Sequence, residues 1–96
     1  MDNQESIISE FRDYARHMVE EHAIAIRQNY ANGAVNNEER LKVFSRHLDS
    51  LKSELQGKIK DIIRIHRGDL DNTGVAQTQL LLVYNNFIDD FFRKEF

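Results

Sequence analysis

Between Asn37 and Arg67 the residues Leu41, Phe44, Leu48, Leu51, Leu55, Ile59, Ile62 and His66 recur at steps of three and four. That is the period of one helix face and not the alternation of a strand. On a helical wheel these side chains fall within roughly an 80° arc, with Lys42, Arg46, Lys60, Arg64 and Arg67 nearly opposite. A long helix with an apolar face and a basic back has to bury that face, so the rest of the chain must supply matching surfaces.

Two flanking segments do so. Ile8, Phe11, Ala15, Met18, His22, Ala25/Ile26 and Asn29 give a seam with heptad-like, coiled-coil spacing that ends before Asn32-Gly33, a pair suited to a helix C-terminus. Asn36 and Asn37 ahead of Glu38 and Glu39 supply an N-cap and first-turn carboxylates for the middle helix. Gly68 and the turn chemistry of Asp69 to Gly74 close it, with Asp71, Asn72 or Thr73 as the next cap. In the last segment Ala76, Leu80, Leu81, Val83, Tyr84, Phe87, Ile88, Phe91 and Phe92 cover about half the circumference, wider than the ~100° stripe of a surface helix. The 96 residues contain no proline, so helices can run uninterrupted. The expectation is an all-α, elongated three-helix bundle in one domain spanning residues 1–96, with helices over about 4–32, 37–67 and 73–95.

Surplus apolar surface points to a partner. Val43 and Ile65 lie off the middle seam, Ile24 off the first, and Leu82, Phe92 and Phe96 crowd the last helix and its end. Large apolar patches on a lone small domain are uncommon, which predicts self-association into a homodimer. Val43, Ile65, Leu82, Phe92 and Phe96 are the expected partner or dimer contacts, aromatic anchors contributing most.

Charge is segregated. The net charge is −3, yet residues 40–67 hold eight basic and three acidic side chains, while residues 1–33 hold three and six. This reads either as complementary helix flanks or as a basic stripe of Lys42, Arg46, Lys60, Arg64 and Arg67 offered to an anion or nucleic acid. No aromatic residue interleaves with that stripe for base stacking.

Signatures of catalysis are missing. Absence of cysteine removes thiol nucleophiles and thiolate metal sites and agrees with a cytoplasmic location. The serines lack a nucleophile-elbow context, the glycines are too dispersed to cradle phosphate, and no Glu stands three residues before a His as in di-iron bundles. Asp13, His17 and Glu21 share a helix face at four-residue steps, a pattern that more often meets water than metal. His22 and His66 sit in apolar seams, where titration can make packing depend on pH. The apolar stretch Leu80 to Tyr84 is too short to span a bilayer, and Met1 to Glu10 has no signal-peptide pattern. The expected function is therefore a small non-enzymatic protein-protein interaction module, without cofactor or metal, acting as adaptor, regulator or inhibitor. The alternative is a nucleic-acid-associated regulator using the basic stripe. A small dimeric helical enzyme, gripping a dicarboxylate with Arg12, Arg27, Lys42 and Arg46, comes third.

Overall fold

A computed structural model describes residues 3–31, 36–69 and 73–95, and these are all helical apart from Asn36. The elements are α1 (Asn3–Ala31), α2 (Asn37–His66), a short 3-10 turn (Arg67–Asp69) and α3 (Thr73–Glu95). The three helices pack into a rod of 52 × 19 × 19 Å. Its length is what 30 residues of α2 dictate at about 1.5 Å per residue plus the flanking turns. Among the described residues no helix is long and apolar enough to cross a membrane.

The chain runs up, down and up. Glu10 near the start of α1 meets Lys58 and His66 near the end of α2, and Phe44 near the start of α2 stacks on Phe91 near the end of α3. Arg27 and Glu95 join the last turns of α1 and α3. Thus α2 is antiparallel to both neighbours, and α1 is parallel to α3.

Each helix contributes one stripe to a common core. Phe11, Ala15 and Ile26 of α1, Leu51 and Leu55 of α2, and Ala76 and Leu80 of α3 are completely excluded from solvent. Phe44, Ile59, Ile62, Tyr84 and Phe91 extend the same cluster, and no buried side-chain polar atom among the described residues lacks a partner. The middle seam is as its spacing predicts from Phe44 to Ile62, with Leu48 half-buried against the core. Leu41 departs from it: in the first turn of α2 it stands 50% exposed. In α1 the buried positions begin at Ile7 and not Ile8, and Asn29 is outside the core, its side-chain amide donating to the Ala25 carbonyl. Buried residues four apart drift about 40° per step around a helix, so the face turns slowly along its length.

Helix ends follow local chemistry. Asn36 is extended at φ −75° and ψ 169°, and its Oδ1 accepts the Glu39 backbone N–H at 2.8 Å, as an N-cap does. Past His66 the chain tightens into the 3-10 turn, in which Gly68 has no positive φ, leaving orphan carbonyls to shorter-range bonds. The expected turn at Asn32-Gly33 and the candidate caps Asp71 and Asn72 lie outside the described residues.

Leu51→Ala should destabilise the protein by about 2–5 kcal/mol in chemical denaturation, the range for truncating a fully buried leucine. A loss below about half a kcal/mol would show that the core is not here. Gly57 tests the opposite direction: a Cβ added there meets nothing within 4 Å, and the residue is exposed in mid-helix. Gly57→Ala should therefore raise stability by about 0.5–1 kcal/mol, read from the denaturation midpoint.

Candidate functional site

The three seams of the bundle differ in what lines them. Between α1 and α2 the edge is polar, with His22 against His47 and Glu54, and Glu10 against Lys58 and His66. Tyr14 of α1 lies under the Lys58 ammonium, 5.1 Å from ring centre to nitrogen. Burial, then the carboxylates of Glu54, Asp61 and Glu21, hold its phenol above the ordinary value. Between α2 and α3 the Gln56 side chain donates to the Tyr84 hydroxyl at 3.1 Å, and Phe44 packs face-on with Phe91 and edge-on with Phe92.

The parallel seam between α1 and α3 is open. A concavity of about 520 Å³ there has Val19, Ala23, Phe87 and Phe91 in its lining and Ile24 at its rim. Nearer the start of α1 a second one, about 550 Å³, is lined by Ile8, Val83 and Leu82. Charges of both signs edge the two, including Glu5, Arg12, Arg16, Glu20 and Asp90. At the far end the groove is crossed by Arg27, whose guanidinium donates to both oxygens of Glu95 at 2.8 and 2.9 Å; the Glu95 side chain is only 4% exposed. Both contacts come from Arg27 Nη2, and this charge-assisted pair with a buried carboxylate ties the two parallel helices at that end.

The expected contact residues distribute around this frame. Ile65 is 64% exposed, Leu82 59% and Phe92 47%. Leu82 stands beside the α1–α3 groove, whereas Phe92 is engaged with Phe44 on the other side of α3. Val43 is drawn in, half-buried against the core. Phe96 lies outside the described residues. Ile24, which the sequence leaves off the first seam, is 52% exposed and lines one α1–α3 concavity, while Leu82 lines the other. The parallel arrangement of α1 and α3 puts both residues on one seam.

The basic residues also separate. Lys42 stands 3.9 Å from Glu38 and Arg64 3.3 Å from Asp61, local contacts that partly neutralise them. Arg46 and Lys60 are exposed on the back of α2 with no ion pair among the described residues, and Arg67 has moved into the 3-10 turn. Of the metal candidates, Asp13 pairs with Arg16 and His17 with Glu21, all on the surface. No group of three His, Asp or Glu side chains placed to hold a metal occurs among the described residues.

The histidines regroup. His22 finds a second histidine, His47, whose edge position three residues past Phe44 does not announce it. The available signal was that His47, Glu54 and Lys58 share one edge of α2, facing α1. His66 approaches Glu10 at 3.6 Å, half outside the core.

No family model, curated protein or solved structure matches this chain.

Proposed function

We propose that this protein is a non-enzymatic helical interaction module, an adaptor, regulator or inhibitor whose α1–α3 groove receives a helix from a protein partner, a second copy of itself included. One observation carries this reading: an apolar-floored groove between two parallel helices, with Leu82 and Ile24 exposed along its borders. Two helices side by side leave room for a further helix to nest, and a four-helix arrangement would remove both side chains from water. Burying two large aliphatic side chains contributes several kcal/mol to association, at about 25 cal/mol per Å² of apolar surface. Mixed charge on the borders favours a partner of defined orientation over a generally acidic or basic one.

Sedimentation equilibrium over a wide concentration range tests the self-association half. A reversible dimer is expected, weakened about tenfold or more by Leu82→Glu or Ile24→Glu and unchanged by Arg46→Glu. A monomer at every concentration removes that half. Affinity capture from the native host then tests the remainder, and a captured protein that Leu82→Glu fails to release contradicts the groove as its site.

A second reading rests on Arg46 and Lys60, two exposed cations of α2 without ion pairs among the described residues. It makes the protein a nucleic-acid-associated regulator. Titration with labelled DNA and RNA separates the two, since phosphate contacts give an affinity that falls steeply with salt. On this reading Arg46→Glu with Lys60→Glu abolishes binding, and affinity indifferent to salt or to both changes contradicts it.

A further inference from the structure

One polar cluster links two helices through a pair of histidines and a carboxylate. His22 of α1 and His47 of α2 meet Nδ1 to Nδ1 at 2.8 Å with their rings crossed at 73°. His22 Nε2 stands 3.1 Å from Glu54 Oε2, and the His22 side chain is 13% exposed. Two ring nitrogens this close require one proton between them, because two lone pairs repel and two N–H groups collide. Ionised Glu54 only accepts, so His22 Nε2 carries a hydrogen and donates it. With both rings neutral, His22 Nδ1 is then the acceptor, His47 Nδ1 the donor, and His47 Nε2 bare.

We infer that this pair is a proton-counting latch on the α1–α2 seam, which holds with no added proton or with one and is forced open by a second. The first added proton lands on His47 Nε2, and the shared proton crosses to His22 Nδ1. Positive charge then rests on His22, which donates to Glu54 on one side and to the neutral His47 ring on the other, a charge-assisted arrangement. A second proton has one place left, His47 Nδ1. Two imidazolium N–H groups would then point at each other across 2.8 Å, and the contact breaks.

The surroundings make the second step the costly one. Burial first, then the charge of His22 and that of Arg46, hold the His47 imidazole below its ordinary 6.5, with Glu54 pulling the other way. Tyr14 of α1 feels the same Glu54 carboxylate as His47, along with Asp61 and Glu21; among the described residues no leading influence on His47 or Tyr14 comes from α3. A histidine held below its unfolded value leaves the unfolded chain binding more protons. Its contribution to stability is thus complete above about pH 6.5 and is lost as the pH falls through the lower folded value. His66 lies 3.6 Å from Glu10 farther along the same seam. Acid therefore loosens the seam at His47.

Histidine ring NMR spectra followed from neutral to acidic pH, with denaturation midpoints at the same pH values, test the latch. His47 should titrate below 6.5 and move up by about half a pH unit or more in His22→Gln, because the two sites are coupled. The midpoint should fall on acidification in the natural protein and fall less in His47→Gln, which keeps a hydrogen-bonding side chain. His47 titrating at its ordinary value overturns the latch, as does an acid response identical in His47→Gln. The spectra of the unaltered chain and the His47→Gln midpoints decide the matter even if His22→Gln does not fold.

Discussion

Everything in this molecule depends on the layer where Phe11, Leu51, Leu55 and Leu80, one set of side chains from each helix, close together without solvent. Helices of 29, 30 and 23 residues gain little from their own hydrogen bonds in water, so their order comes from this shared burial. The layer also fixes direction. Once α2 lies antiparallel to both neighbours, α1 and α3 must be parallel, and the edges of each stripe are assigned to particular seams.

Those seams divide the work between holding and displaying. Polar side chains with partners occupy the α1–α2 edge, where histidines, carboxylates and Lys58 meet in pairs. The α2–α3 edge is tied by Gln56, Tyr84 and the ring contacts of Phe44. Among the described residues the α1–α3 edge is tied at one end by Arg27 and Glu95 and along its length presents apolar side chains in an open groove. A surface that is apolar and unfilled is where a partner gains most, and a seam held by titrating groups is where conditions can alter the fold. The proposed interaction and the proposed latch thus fall on different sides of α1.

Much of the fold was legible because helix faces are written in local spacing. Phe44, Leu51, Leu55, Ile59 and Ile62 declare their face by steps of three, four and seven, and the core respects it. Leu41 obeys the same steps yet stays half exposed, because it sits at the end of the bundle, where it lines a concavity and not the packed centre. Ile7 replaces Ile8 because periodicity gives a face to within a residue, and only the neighbouring helices choose between adjacent positions. Gly68 stands where α2 ends, and since a glycine permits the left-handed turn without requiring it, the chain tightens there into a 3-10 turn. The candidate site was less legible. Val43 and Leu82 both look surplus from their spacing, but one packs inward and the other points out, a distinction set by which helix lies beside each. The contact of His22 with His47, 25 residues apart, depends on the register of two helices, which composition and period do not encode.

The most direct test is of the arrangement that creates the groove. Spin labels at Arg12 and Asn86, which line the same α1–α3 concavity, should report a short distance, about 10 Å between helix axes plus the reach of the labels. Diluting labelled protein with an excess of unlabelled chain should leave that distance unchanged, since both helices belong to one molecule. A short distance that fades on dilution, or none at all, would show the helices exchanged between chains or the bundle built in another order, and would contradict the account.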